Sequence, residues 1–331
     1  MNCLRKKVII RADGNSSIGL GHVVRCCALA DVLKDNFDCY FYIRKPSQSI
    51  VEEIKQYCIS VFEMDETISY EQEAVTWSKE LQGNEIVVLD GYNFDTTYQQ
   101  KIKSKGCKLV CIDDIYAYYF VADAVINHAP GILKEQYSCE SYTKLFLGTD
   151  YVLLREIFLK KAARLQQIHD LDTSPILICL GGADPQNVTL KVLDQVSRYF
   201  CNRKMFVVVG AAYSYKDSLD EYIKNNNQLH LFMNISSEEL VALMEKAHIA
   251  VTSASTIALE YLCIKGNLFL LATANNQSNL YNSLIEKKCA YPFELLNDNY
   301  NSDAVIQNQY ALIDGKSREH ILKIFTHLIY P

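Results

Sequence analysis

The sequence predicts an α/β fold made of two doubly wound parallel sheets. Short apolar runs alternate with helical patterns through both halves of the chain. Runs such as Ile176-Leu-Ile-Cys-Leu180 and Phe206-Val-Val-Val209 lack two-fold alternation, as strands buried on both faces of a parallel sheet do. A length of 331 residues leaves room for two domains of ordinary size.

In the first half, the strand candidates are residues 8–12, 39–43, 59–62, 86–90, 108–113 and 124–127. Helical periodicity fills the gaps at 21–34, 49–56, 69–82 and 95–105. The second half repeats the scheme with strands at 176–180, 205–210, 229–232, 249–252 and 268–271. Strands alternating with helices imply parallel pairing and right-handed crossovers. The boundary falls between Leu154 and Pro175, where residues 160–170 are polar and helical and Thr173-Ser174-Pro175 punctuates a new strand. The expected division is an N-terminal domain at 1–155, a C-terminal domain at 175–315 and an amphipathic helix at 316–331.

Composition narrows the function. A formal net charge of −6 argues against nucleic acid or an anionic membrane as the main partner. No apolar run approaches the roughly 18 residues of a membrane span, and the N-terminus has no signal-peptide h-region. The expected location is cytoplasmic. The 12 cysteines are scattered through apolar segments without a C-x-x-C pair, the pattern of buried thiols in a reducing compartment. Neither they nor the histidines have metal-ligand spacing, so no metal or cofactor is expected. His128, His169, His230, His248, His320 and His327 read as structural or surface residues.

Glycine is scarce, at 13 residues, and five of these cluster in two strand-to-helix turns: Gly14, Gly19, Gly21, Gly181 and Gly182. The first turn runs from Arg11-Ala-Asp-Gly-Asn15 through Gly19-Leu-Gly-His-Val-Val-Arg25. A strand, a glycine-rich turn and a helix N-terminus form an anion site. No Walker Lys follows, and Val24 occupies the third glycine position of a dinucleotide fingerprint. Histidine titrates near neutrality, and the positive helix end favours a neutral His22, the form that suits a general base. Asp13, Asn15 and Arg25 supply further polar groups on this loop and helix. Asp90-Gly91-Tyr92 and Asp113-Asp114 end two more strands, where they can hold a substrate or orient His22.

In the second half, Gly181-Gly-Ala-Asp184 forms a second turn of the same kind. Thr252-Ser-Ala-Ser-Thr256 ends a strand in hydroxyls that can cradle a pyrophosphate at a helix start. Glu260, one turn into that helix, can accept hydrogen bonds from ribose hydroxyls. Asn276-Gln277 opens the next helix on the same edge.

Arg11–Asn15, Gly19–Arg25, Asp90–Tyr92, Ile112-Asp-Asp114, Ile126-Asn127, Leu154-Arg155, Gly181–Asp184, Glu260 and Asn276-Gln277 together resemble a known family. It comprises the UDP-2,4-diacetamido-2,4,6-trideoxy-β-L-altropyranose hydrolases of pseudaminic acid biosynthesis. The resemblance covers about residues 8–280. It implies a GT-B-like architecture of two Rossmann-type domains facing a cleft, related to the N-acetylglucosaminyltransferase of peptidoglycan synthesis. It also implies a UDP-sugar substrate, with UDP in the C-terminal domain and the sugar towards the N-terminal loop. His22 would act on water at the anomeric carbon, releasing UDP and free sugar with inversion and without a metal. Tyr92 would lie near the sugar and Glu260 would hold the ribose. The chain departs from the family pattern at Thr252-Ser-Ala-Ser255, where a glycine pair is usual, and at Lys265-Gly-Asn267, where Gly-Lys-Pro is usual.

The expected catalytic residues are therefore His22, Tyr92 and Asp13. The expected substrate-binding residues are Asn15, Gly19, Gly21, Arg25, Asp90, Gly181, Gly182, Asp184, Ser255, Thr256, Glu260, Asn276 and Gln277. The leading function is hydrolysis of a UDP-sugar. The alternatives are a glycosyltransferase of the same architecture, in which an acceptor hydroxyl replaces water, and a non-catalytic sugar-nucleotide binder.

Overall fold

The structure is a computed structural model that describes residues 5–14, 20–163, 173–182, 184–224, 226–296 and 302–330. It divides into two compact units, one of Met1–Arg155 with Lys316–Pro331 and one of Glu156–Gly315.

The first unit opens with β1 (Lys6–Ala12), α1 (Gly21–Leu33), β2 (Phe37–Arg44) and α2 (Gln48–Ile54). It continues with β3 (Ser60–Met64), α3 (Tyr70–Trp77), β4 (Ile86–Asp90) and α4 (Thr96–Lys103). Then follow β5 (Lys108–Ile112), β6 (Tyr119–Phe120), β7 (Ala124–Asn127), β8 (Ser138–Cys139) and β9 (Lys144–Leu147). Seven strands make one sheet in the order β3-β2-β1-β4-β5-β7-β9, with parallel pairing throughout. The strand order reverses between β1 and β4. This is the topological switch point, outside whose carboxyl ends ligands of open α/β sheets bind.

Both faces of this sheet are covered, which explains its near-continuous apolar strands. Val8 and Ile10 join one core with Val23, Cys26, Leu29 and Leu33 of α1. Ile9 joins the opposite core with Val87, Leu89, Trp77 and Tyr98. Because it is buried nearly all round, α1 is apolar on every side rather than striped. β2 behaves differently: its burial alternates, so Tyr40 and Tyr42 are only half-buried.

The second unit begins with α5 (Glu156–Ala162), β10 (Ile176–Cys179), α6 (Val188–Tyr199), β11 (Met205–Val209) and α7 (Lys216–Lys224). Next come β12 (Leu229–Met233), α8 (Ser237–Lys246), β13 (Ile249–Ser253), α9 (Thr256–Ile264) and β14 (Asn267–Leu271). It ends with α10 (Ser278–Glu286), β15 (Tyr291–Pro292) and α11 (Ser302–Leu312). The six strands run in the order β12-β11-β10-β13-β14-β15, again parallel, with the switch point between β10 and β13. The final helix, α12 (Ser317–Ile329), belongs to the first unit, where Ile321, Ile324 and Phe325 complete the core beneath α1.

Two doubly wound parallel sheets define a GT-B-like α/β protein, the class expected from the motifs. The departure at Lys265-Gly266 has a local cause. A Cβ at Gly266 would come within 2.4 Å of the Tyr261 hydroxyl. The buried Lys265 ammonium donates to the carbonyls of Gln309 and Ile313, closing the C-terminal end of α11.

Candidate active site

His22 stands on the first turn of α1, directly beyond the carboxyl end of β1. No side chain caps this helix start among the described residues, and a Cβ at Gly21 would meet nothing within 4 Å. Asp90, the last residue of β4, comes from the other side of the switch point and is fully buried. Its Oδ1 lies 2.7 Å from His22 Nδ1. Arg25, one helical turn after His22, donates from Nε to Asp90 Oδ2 at 2.7 Å and from Nη2 to Asp90 Oδ1 at 2.5 Å. Burial alone would raise the Asp90 carboxyl. The charge of Arg25, with the hydrogen bonds from Arg25 and His22, holds it well below the usual carboxylate range.

An ionised Asp90 can only accept, so the hydrogen bond requires Nδ1 of His22 to carry the proton. Arg25 Nη2 also lies 2.9 Å from Nδ1, but a guanidinium has nothing to accept with, and the shorter contact to Asp90 fixes the tautomer. The neutral ring then presents a lone pair at Nε2. Arg25 Nη1 continues the chain to Asp114 Oδ2 at 2.9 Å, and the Tyr92 hydroxyl donates to the same oxygen at 3.3 Å. The Tyr92 ring meets the His22 ring edge-on, with centroids 4.8 Å apart. His22, Arg25, Asp90, Tyr92 and Asp114 thus form one connected polar cluster.

Several sequence-expected residues occupy other posts. Asp90 and Arg25 are expected among the substrate-binding residues, yet both are buried: Asp90 takes the other expected role, against His22, with Arg25 and Cys26 as further donors, and Arg25 bonds Asp90 and Asp114. Asp13 is engaged in a separate network: Oδ1 accepts from Arg11 at 2.6 Å and from the Arg44 amide at 2.8 Å, and Oδ2 accepts from Tyr70 at 2.9 Å. Burial would raise its carboxyl, but the hydrogen bond and charge of Arg11 hold it down. Glu73 closes this network by accepting from Arg11, Arg44 and Tyr98. Asn15 and Gly19 lie outside the described residues.

In the second unit, the loops after β10 and β13 meet at the switch point. Gly181 has φ +98°, and a Cβ there would sit 3.8 Å from the Ser253 hydroxyl. Gly182 is packed against Gly210, where a Cβ would meet the Gly182 backbone at 2.6 Å. Asp184 is expected to bind substrate, but its two oxygens accept from the amides of Val188 and Thr189 and cap α6. Ser255 leaves α9 uncapped, because its hydroxyl pairs with Ser253 at 2.9 Å. The first amides of that helix therefore lack the usual side-chain acceptor. Ser255 and Thr256 are half-buried, whereas Glu260 is buried within α9. Asn276 and Gln277 lead directly into α10, with Gln277 at its N-cap position. They belong to a 3-10 turn at Asn275–Gln277, where Gln277 Oε1 accepts from the Thr273 amide at 2.8 Å.

His128, read from the sequence as a structural or surface residue, is buried just past the carboxyl end of β7, and its Nδ1 accepts from the Leu153 amide at 3.2 Å. Its place directly after Ile126-Asn127 at a strand end was the available signal. Among the described residues, no group of three or more His, Cys, Asp or Glu side chains could hold a metal ion. Likewise, no described helix is long and apolar enough to cross a membrane.

No family model matches the chain. The UDP-2,4-diacetamido-2,4,6-trideoxy-β-L-altropyranose hydrolase of Campylobacter jejuni is 25% identical over 85% of this chain and 97% of its own length. Spore coat polysaccharide biosynthesis protein SpsG of Bacillus subtilis is 27% identical over 81% of this chain and 78% of its own. An uncharacterized protein of Methanocaldococcus jannaschii is 25% identical over 97% of this chain and 66% of its own, so the chain spans just under two thirds of that relative.

Solved structures of similar fold include the calicheamicin glycosyltransferase CalG4, with TM-score 0.67 at 12% identity, covering 98% of this chain and 99% of that one. The Staphylococcus aureus MnaA–UDP co-structure has TM-score 0.64 at 10% identity, covering 98% and 97%. Acinetobacter baumannii MurG has TM-score 0.60 at 13% identity, covering 97% and 99%. The chain is thus similar in sequence to the hydrolase that its motifs resemble, and it shares the GT-B-like fold of these structures.

Proposed function

We propose that the protein hydrolyses a UDP-activated diacetamido-trideoxyhexose to UDP and free sugar, with His22 as general base. The observation that carries this reading is the His22–Asp90 pair at the first switch point, 2.7 Å apart, with Asp90 held ionised by Arg25. In that arrangement Nδ1 is the donor to Asp90, and Nε2 is free to take a proton from water. The water oxygen forms a bond to the anomeric carbon as the bond from that carbon to the diphosphate oxygen breaks. The bonding pair leaves with UDP, and the anomeric centre inverts. Asp90 and Arg25 act as positioning residues for the base, and Tyr92 packs against its ring. Asp13 is a positioning residue of the neighbouring loop, held by Arg11 and Arg44.

The uncapped start of α9, with Ser255, Thr256 and the Gly181-Gly182 turn, supports binding of the leaving diphosphate, whose charge it would stabilise. Glu260, Asn276 and Gln277 belong to the nucleoside end of this proposal. Similarity to the Campylobacter hydrolase over most of both chains supports the substrate class. A cytoplasmic location goes with the reading.

The test is UDP release from a UDP-2,4-diacetamido-2,4,6-trideoxyhexose in buffer, with the product anomer followed by proton NMR. His22→Asn is expected to lower kcat by about 10²–10⁴, the usual worth of a positioned general base, while UDP still binds. Full activity in that variant overturns the role of His22. UDP release that appears only when an acceptor sugar is added assigns a transferase instead.

A further inference from the structure

The sheet register puts three polar side chains in one row beyond the strands. Asp90 of β4 pairs with Ile112 of β5, which pairs with Ile126 of β7. Two residues beyond each member of that row stand Tyr92, Asp114 and His128. The Asp113 amide donates to the Ile126 carbonyl at 3.0 Å, the ladder bond of the last pair, and Asp114 and His128 follow just beyond it. Tyr92 and Asp114 are already joined through the Tyr92 hydroxyl at 3.3 Å.

Two atoms in this row have no partner among the described residues. Asp114 Oδ1 is buried and unpaired, although Oδ2 takes both Arg25 and Tyr92. His128 spends Nδ1 on the Leu153 amide, which puts the proton of the neutral ring on Nε2, and that nitrogen has no acceptor among the described residues. Burial, then the charge of Arg25, pushes the His128 imidazole down to about 4, so it is uncharged at neutral pH. An unpaired buried carboxylate oxygen is costly until something donates to it. One acceptor and one neutral donor, near enough for the Asp114 charge to act on the His128 ring, match a secondary amide or a hydroxyl, each of which both donates and accepts.

We propose that Asp114 and His128 form a polar subsite beside His22 that holds an acetamido or hydroxyl substituent of the sugar. Asp114 Oδ1 accepts from the substituent, and His128 Nε2 donates to it. Both groups lie on the same carboxyl edge as the base, so they fix the ring while water attacks. This inference rests on the hydrolase reading for the identity of the sugar, but its test is a binding measurement.

Calorimetric affinities for UDP and for the UDP-2,4-diacetamido-trideoxyhexose are compared on the His22→Asn background, which removes the turnover that would consume the sugar nucleotide, with residue 128 wild-type, His128→Ala or His128→Gln. With His128 in place, the protein should bind the sugar nucleotide more tightly than UDP. His128→Ala should weaken sugar-nucleotide binding about tenfold, the worth of a hydrogen bond at the upper end of the neutral range, and leave UDP affinity within twofold. His128→Gln, whose amide can donate, should recover most of the loss. The subsite is overturned if the protein with His128 in place does not prefer the sugar nucleotide, if His128→Ala keeps the full preference, if UDP affinity falls in parallel, or if Gln restores nothing. Preferential binding without any UDP release by the wild type would refute the hydrolase reading and leave the subsite standing.

Discussion

Replacing Asp90 with Asn separates the two jobs this carboxylate performs. The substitution keeps shape but removes the charge that Arg25 and His22 both face at 2.5–2.7 Å. Breaking one side of a buried ion pair costs about 3–5 kcal/mol. Arg25 keeps Asp114 at 2.9 Å, so the lower end applies and a loss of about 3 kcal/mol is expected. For a domain of 150–250 residues that lowers Tm by about 6–12 °C.

The second effect is on the base. The Asn oxygen is drawn to Arg25, which turns the amide NH2 towards His22 Nδ1 and moves the ring proton to Nε2. The imidazole then has no lone pair for water. In serine proteases the same exchange beside a catalytic histidine costs about 10⁴ in kcat, and a loss of that order is expected here. The assays are thermal unfolding and UDP release at a temperature where the variant is folded. Adding His22→Asn to Asp90→Asn should bring little further loss, because the two residues act as a unit. A folded Asp90→Asn enzyme with kcat within tenfold of wild type would refute the tautomer argument. A Tm within about 2 °C of wild type would refute the ion-pair argument.

Stability should also fall on the acid side in two separate windows. His128 is held neutral down to about 4, whereas an unfolded histidine takes its proton near 6.5. The unfolded chain therefore binds more protons between these values. Its contribution is full above about pH 6.5 and is lost as pH falls to about 4, amounting to about 3 kcal/mol. Denaturant titrations of His128→Gln should flatten that window, and an unchanged slope would count against the buried neutral ring. Asp13 and Asp123, whose carboxyls are lowered by their cationic partners, should leave a remaining loss below about pH 3.8. Asp184→Ala should cost about 1–2 kcal/mol by uncapping α6. Its UDP affinity should change little, and a large loss of affinity with stability intact would return Asp184 to the ligand site.

The fold was legible because strands buried on both faces are written as unbroken apolar runs. Ile86–Asp90 and Ile176–Cys179 leave no other economical reading. The edges were harder. β9 has only half-buried or exposed residues, and β6 and β8 are two residues each, too short to carry a period. α3 starts at its Ser69–Gln72 capping box but stops at Trp77, well before residue 82.

In the site, His22 was visible from the loop that presents it. The partner of Arg25 was not, since Asp90 is 65 residues away and meets it only across the switch point. The spacing of His22 and Arg25, three apart on a helix, already put them on one face. Arg11 carried a signal too. A charge inside a central apolar strand must be paired, and Glu73 and Asp13 are its partners. The cap formed by Asp184 could not be told from a ligand contact, because both place a carboxylate at a helix N-terminus.

The return of α12 to the first unit sets an order on biosynthesis. Residues 317–329 supply Ile321, Ile324 and Phe325 to the core that β1 and α1 begin. A ribosome adding about 5–20 residues per second must make all of Glu156–Gly315 before that core can close, a delay on the order of 10–30 s. During that interval the inner face of α1 has every partner except its last. The second unit can finish folding first, although it is made later. A chain truncated after Gly315 should therefore protect the β10–β15 sheet from protease while the β1–α1 region is cut faster than in the full chain.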